Sequence, residues 1–224
     1  MLVYLTRFST DQFILANLFR YITFRSGAAC LTALVLSLVL GPAVIRWLKS
    51  VQRGGQPIRE DGPARHLIEK KGTPTMGGVL ILVSLTASTL LWADLRNGYV
   101  WAVLLLTLGY GAIGFIDDYL KLSRRNTKGV SARNKLAAQV VLGLGCAVWI
   151  WLLTREPLGS SLTVPVFKDV LIPLGFLFPV VGMVVMIGSS NAVNLTDGLD
   201  GLAIVPTIIA AAVFALISYL VGNK

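Results

Sequence analysis

The stretch that decides the fold is Gly98-Tyr-Val-Trp-Ala-Val-Leu-Leu-Leu-Thr-Leu-Gly-Tyr-Gly-Ala-Ile-Gly-Phe-Ile-Asp117-Asp118-Tyr-Leu-Lys121. From 98 to 116 it carries no charge, and its apolar residues run continuously rather than alternating. A run of about 17–25 such residues is the length needed to cross the hydrocarbon core as a helix. The lack of a period-two pattern excludes a membrane β-barrel strand. The run ends on two adjacent carboxylates, which are costly at the lip of a span unless they are paired or used.

Five further segments read the same way, at about 27–48, 76–93, 136–154, 170–189 and 201–221. The expectation is an all-α, polytopic transmembrane bundle of six spans, forming one domain over 1–224. Composition agrees, with 55% hydrophobic and 14% charged residues and a mean hydropathy of +0.74. A soluble domain carries about a quarter charged residues. Arg7, Asp11, Arg20 and Arg25 interrupt the apolar stretches near the start, so no clean signal peptide is read there. Positions 8–24 read instead as an interfacial amphipathic helix.

The net charge of +9 is unevenly placed. The loop after the first span holds Lys49, Arg53, Arg59, Arg65, Lys70 and Lys71. The loop after the third holds Lys121, Arg124, Arg125, Lys128, Arg133 and Lys135. The other connections have only Arg96 in one, and Arg155 and Lys168 in the other. Basic loops stay cytoplasmic, which puts the N-terminus outside and the loops at 49–75, 117–135 and 190–200 on one cytoplasmic face. The charge is thus accounted for without nucleic acid. The connection at 155–169 reads as an ordinary exposed loop, and Pro173 and Pro179 read as kinks in the fifth span.

Three polar constellations fall on the cytoplasmic face. Asp117 and Asp118 repel each other unless a cation lies nearby. Mg²⁺ suits oxygen ligands and phosphate. An i,i+4 ion pair from Asp117 to Lys121 is the structural alternative. In the second, Asn191, Asn194, Asp197 and Asp200 recur every third position. A continuous helix would let that set drift around its surface, so Gly198 and Gly201 are read as a bend that lets the four converge. Asp200 also suits the N-cap of the sixth span. The third is the loop 58–78, with Lys70 and Lys71 as phosphate-neutralising charges and Gly72-Thr-Pro-Thr75-Met-Gly-Gly78 as a segment that can approach a ligand closely. Positive-inside anchoring explains its charge equally well.

Other chemistries are excluded. His66 is the single histidine, so neither a His-cluster metal site nor a Ser-His-Asp arrangement is supported. Cys30 and Cys146 lie in separate apolar runs without metal or disulfide spacing. No phosphate-binding loop opens a helix after a strand.

These stretches together resemble the phospho-N-acetylmuramoyl-pentapeptide transferase family, within the wider group of polyprenyl-phosphate hexose-1-phosphate transferases. The carriers are Ile58-Arg-Glu-Asp-Gly-Pro63, Gly72–Gly78, Asp117-Asp118-Tyr and Asn194-Leu-Thr-Asp-Gly-Leu-Asp-Gly201. The resemblance implies transfer of the phospho-sugar-peptide from UDP-N-acetylmuramoyl-pentapeptide to undecaprenyl phosphate. It gives lipid I and UMP, with Mg²⁺, at the cytoplasmic face of a bacterial inner membrane. It implies Asp117 as base or orienting group for the lipid phosphate, and Asp118 as support for Mg²⁺ or its waters. Lys70, Thr75, Asn194 and Asp197 would contact the nucleotide side, Lys121 and Lys135 would hold phosphate charge, and Asn191 and Asp200 would complete the polar floor. The family has spans beyond the six read here, with a further Mg²⁺-linked aspartate and a His-rich loop among them, so these 224 residues alone are expected to be inactive. Transfer of N-acetylglucosamine phosphate, and a non-catalytic membrane protein, are the competing readings. Homodimer formation is left open.

Overall fold

The computed structural model describes residues 2–5, 14–52, 74–124, 129–154, 159–164, 170–196 and 202–222. The chain divides into two compact units, Met1–Leu153 and Thr154–Lys224, each described by itself.

Among the described residues the first unit holds four long helices, α1 (Ile22–Val51), α2 (Gly78–Trp92), α3 (Gly98–Ser123) and α4 (Ala132–Leu153), preceded by the short helix Leu2–Leu5 and the 3₁₀ helix Ile14–Arg20. Each packs on its sequence neighbour, α1 on α2, α2 on α3 and α3 on α4. The connection between α2 and α3 is short, so these helices run antiparallel and helix ends gather in two sets. The second unit holds β1 (Ser161–Thr163), β2 (Leu171–Pro173), α5 (Phe178–Thr196) and α6 (Ile204–Gly222). The architecture is that of an all-α polytopic membrane protein, with one small hairpin among the described residues. Ile22–Val51, Gly98–Ser123, Ala132–Leu153 and Gly175–Thr196 are long and apolar enough to span, and Gly78–Trp92 and Ile204–Leu220 are shorter apolar helices. The 15 residues of α2 rise about 22 Å, short of a hydrocarbon core about 30 Å thick.

Lipid gives helices no hydrophobic reason to associate, so contacts rely on close van der Waals fit between small residues. Leucines fill glycine notches in the first unit. A Cβ on Gly109 would lie 2.8 Å from Leu142 of α4, and one on Gly111 would run into Leu82 of α2. Gly41 of α1 sits against Leu80. Ala102 and Ala147 are almost fully enclosed, and the Cys146 thiol lies 3.5 Å from the Ala102 carbonyl oxygen. Large apolar residues such as Leu38, Val103, Val141 and Phe214 face outward, as lipid contact requires.

Several expectations are corrected. Residues 14–20 form a 3₁₀ helix, not a stretch of one amphipathic helix over 8–24. Tyr21 takes an extended conformation before α1, and Phe19 is turned to stack on Trp92 with ring centroids 5.6 Å apart. Positions 6–13 lie outside the described residues. The fifth span does not begin at 170. Leu171–Pro173 pairs antiparallel with Ser161–Thr163, Leu162 opposite Ile172, and the Leu174 N–H donates to the Ser160 carbonyl at 2.8 Å. Within the connection at 155–169, positions 161–163 are therefore a hairpin arm rather than loop. Pro173 lies in β2 and kinks no helix. Pro179 is the second residue of α5, in a first turn whose backbone N–H groups have no helical acceptor. The fifth helix also runs past 189, to Thr196.

The notch packing predicts an asymmetry among glycines. Gly111→Val must displace Leu82, and overpacking of this kind costs about 1–3 kcal/mol. Gly145→Ala enters open space and gains helix propensity of up to about 1 kcal/mol. Thermal denaturation in detergent should show a lower midpoint for Gly111→Val, and an equal or higher one for Gly145→Ala. The reverse order would show that the helices do not meet at Gly111.

Candidate functional site

Asp117 and Asp118 lie in the last two turns of α3, which continues to Ser123. The C-terminal end of a helix carries partial negative charge, so two carboxylates there need cationic or N–H partners. Their neighbours divide between them, because adjacent helix residues point about 100° apart. Asp117 Oδ2 pairs with Lys121 Nζ at 2.5 Å, and Asp117 Oδ1 accepts from the Val130 backbone N–H at 2.8 Å. Asp118 Oδ2 accepts from the Thr75 hydroxyl at 3.0 Å, while its Oδ1 lies 3.5 Å from Lys121 Nζ. The i,i+4 ion pair weighed from sequence is formed, and its cation also faces the second carboxylate.

Asp117 is the better enclosed of the two, its side chain 13% exposed against 35% for Asp118. Both Asp117 oxygens are engaged. Among the contacts of the described residues, Asp118 Oδ1 is the carboxylate oxygen held most loosely, which suits it to a further ligand.

Three connecting segments supply the partners. Thr75 stands just before α2, where Met76 has φ 69°. A left-handed backbone is uncommon for a side chain of that size and marks a constrained turn. Gln52 fixes Thr75 from the end of α1: its Nε2 donates to the Thr75 carbonyl at 3.1 Å, and its Oε1 accepts from the Thr75 N–H at 2.9 Å. On the other side, Gly129 has φ 52°, and a Cβ there would collide with Asp117 Oδ1 and Lys121 Cε. Only glycine allows this connection to bring the Val130 N–H down onto Asp117. Lys135, in the first turn of α4, adds Coulombic attraction to the Asp117 carboxylate.

The structure thus brings Thr75, Asp117, Asp118, Lys121 and Lys135 together. Asn191 and Asn194 belong to the second unit, on the last turns of α5. Asn191 Nδ2 donates to the Ile187 carbonyl at 3.0 Å, and Asn194 is exposed. The helix continues unbroken through both, so the expected bend does not begin before Asp197. Lys70, Asp197, Asp200 and His66 lie outside the described residues. Among the described residues no group of three or more His, Cys, Asp or Glu is placed to hold a metal. Sequence reading missed Gln52, Gly129 and Val130. Gln52, an uncharged amide among Lys49 and Arg53, offered a signal. A backbone N–H such as that of Val130 offers none.

These helices and this end-cluster define a polytopic membrane protein built around paired carboxylates and a shared lysine. The glycosyl transferase family 4 model matches residues 100–224, and the chain belongs to that family. Residues 70–82, which include Thr75, match phospho-N-acetylmuramoyl-pentapeptide-transferase signature 1. Proteins named phospho-N-acetylmuramoyl-pentapeptide-transferase are similar over nearly the whole chain. That of Granulibacter bethesdensis is 76% identical over 95% of this chain and 59% of its own length. Those of Gluconobacter oxydans and Gluconacetobacter diazotrophicus are 61% and 63% identical over 92% of this chain, and 57% of their own lengths. The chain thus spans under two thirds of the length of these relatives.

The Gln52–Thr75 clamp generates a prediction. Gln52→Ala removes both hydrogen bonds, worth about 0.5–1.5 kcal/mol each, and leaves Thr75 free to leave Asp118. A fall in thermal midpoint in detergent is expected, together with faster exchange of the Thr75 amide. Unaltered exchange at Thr75 would mean that the turn is held by something other than Gln52.

Proposed function

We propose that the chain carries a portion of the active site of a Mg²⁺-dependent transferase. It moves phospho-N-acetylmuramoyl-pentapeptide from UDP to undecaprenyl phosphate, giving lipid I and UMP for peptidoglycan synthesis. The observation that carries this reading is the Thr75–Asp118–Lys121–Asp117 cluster, in which a residue of the matched signature is hydrogen-bonded to the carboxylate pair.

The chemistry joins two anions, so charge neutralisation and alignment are the main demands. Lys121 and Lys135 supply positive charge beside the carboxylates. With both oxygens engaged, Asp117 serves as the orienting carboxylate that fixes Lys121, rather than as a base. Asp118 is the better metal ligand, through Oδ1. One or two carboxylates with substrate phosphates and water is a usual Mg²⁺ donor set, so the residues present fit that ion. When bound, Mg²⁺ would clamp the diphosphate and stabilise the leaving UMP. Thr75 holds Asp118 in place for it.

The membrane in question is the bacterial inner membrane, with this cluster on the cytoplasmic side. Lys121, Arg124, Arg133 and Lys135 stand at the cluster's end of α3 and α4, against Arg96 at the other, and basic connections stay cytoplasmic. Cysteine introduced at Arg124 should be blocked only by a membrane-permeant reagent in intact cells, and cysteine at Arg96 by an impermeant one. The opposite labelling pattern would overturn the orientation.

Asp118→Asn, in a chain long enough to turn over, should lower kcat by about a hundredfold or more, as loss of one transition-state contact does, with a smaller change in KM. The assay is UMP release from UDP-N-acetylmuramoyl-pentapeptide with undecaprenyl phosphate and Mg²⁺ in detergent. A normal kcat in the variant would sink the assignment, and a preference for UDP-N-acetylglucosamine would sink the substrate. These 224 residues alone, which correspond to 57–59% of the relatives' lengths, should give no sustained turnover in the same assay.

A further inference from the structure

The opposite ends of the same helices enclose a second feature. A cavity of about 350 Å³ lies between the start of α1, the end of α2 and the start of α3, its polar wall formed by Arg25, Ser26, Thr89, Trp92, Asp94 and Asn97. From Val100, on its rim, to Asp117 is 17 residues of α3, about 26 Å along the axis. The cavity is therefore separate from the carboxylate cluster. Its volume falls within the range of small-ligand sites, about 300–1,000 Å³.

Two opposite charges line it. Arg25 Nε is buried and has no hydrogen-bond partner among the described residues. A buried guanidinium N–H without an acceptor is destabilising, and a phosphate oxygen is among its best acceptors. Among the described residues Asp94 is engaged through one oxygen only: Oδ1 accepts from the Tyr4 hydroxyl at 2.8 Å and from the Arg96 N–H at 3.1 Å. Those contacts and the Arg25 charge hold the Asp94 carboxyl below the usual carboxylate range, so it is ionised at neutral pH. Arg25 acts on Asp94 through space, and no ion pair joins them among the described residues. Both charges line the cavity without closing an ion pair on each other.

The surroundings fix the level in the membrane. Phe19, Phe24 and Trp92 form one cluster, with centroids 5.4–6.1 Å apart, and Trp92 Nε1 donates to the Thr32 hydroxyl. Aromatic rings at helix ends mark the headgroup region. A cavity there with one fixed cation and one fixed anion complements a zwitterion better than an anion.

We propose that this cavity binds the headgroup of a zwitterionic phospholipid, its phosphodiester on Arg25 and its ammonium towards Asp94. The Trp92 wall covers the first carbons of the lipid. The site is independent of the transferase reading.

The test is native mass spectrometry of the chain released from vesicles of phosphatidylethanolamine and phosphatidylglycerol in equal parts. One phosphatidylethanolamine should be retained per chain. Arg25→Gln should reduce that retention about tenfold, the equivalent of one charge-assisted hydrogen bond. Arg25→Lys, which keeps the charge and loses the fork, should retain an intermediate amount and guards against a folding defect in the first variant. Asp94→Asn should abolish the preference over phosphatidylglycerol while lipid is still bound. Undiminished retention in a folded Arg25→Gln chain overturns the proposal. So does equal uptake of the two lipids by the unaltered chain, or complete displacement by millimolar inorganic phosphate, which would make this a site for free anion.

Discussion

Lys121 stands between two carboxylates on its own helix, and the cytoplasm-facing end proposed for the first unit is arranged around that fact. Asp117 and Asp118 close a long apolar helix at its negative end, where both neighbour and macrodipole oppose ionisation. One ammonium at i+3 and i+4 reaches both. A single lysine cannot saturate four carboxylate oxygens, and the remaining demand recruits the two flanking connections. The turn before α2 brings the Thr75 hydroxyl, and the turn before α4 brings the Val130 N–H. Each needs an unusual backbone, Met76 on one side and Gly129 on the other, both with positive φ. The strain sits where the electrostatics need it.

That arrangement holds only if α1, α2, α3 and α4 keep their heights relative to one another. Small residues provide the registration. Leucine from a neighbour enters each of the notches at Gly109 and Gly111, so sliding one helix past the next would need the notch and its leucine to separate. Dispersion falls off steeply with separation, so a notch contact fixes axial position better than a smooth leucine face would. Gln52 then converts the position of α1 into the position of Thr75 by gripping its N–H and its carbonyl.

Helix number and approximate place were legible in the sequence because hydrocarbon thickness is a strong constraint on apolar run length. The boundaries were less so. The start of the fifth span was placed at 170 because Val170, Leu171 and Ile172 are as apolar in a strand as in a helix, and hydropathy has no term for the pairing with 161–163. The helix was ended at 189 because Ser189, Ser190, Asn191 and Asn194 are polar. Asn191 nonetheless stays helical by bonding back to the Ile187 carbonyl, as side-chain amides can. At the site, Asp117, Asp118 and Lys121 could be read from spacing alone. Thr75 was singled out through the family resemblance as a nucleotide-side contact, and its hydrogen bond to Asp118 was not read. Val130 acts through a backbone N–H that leaves no mark in the sequence, and the place of Gln52 between Lys49 and Arg53 marks the residue but not its distant partner, Thr75.

The two ends of the first unit solve one problem in different ways. Each places ionisable groups where an apolar helix meets water, and such groups must be paired, solvated or used. At the Asp117 end the charges are drawn into contact, with cation and carboxylates in one cluster and Asp118 Oδ1 the loosest member. At the Arg25 end the two charges line one cavity without an ion pair between them, and Asp94 is tied instead to Tyr4 and Arg96. Had Arg25 and Asp94 been selected only to neutralise each other, the rotamer freedom of a long arginine side chain would have let them meet. Two opposite charges left unpaired in the lining of one cavity, beside Trp92, suit a bound molecule carrying both charges, and that is the reason the second site follows from the same physics as the first.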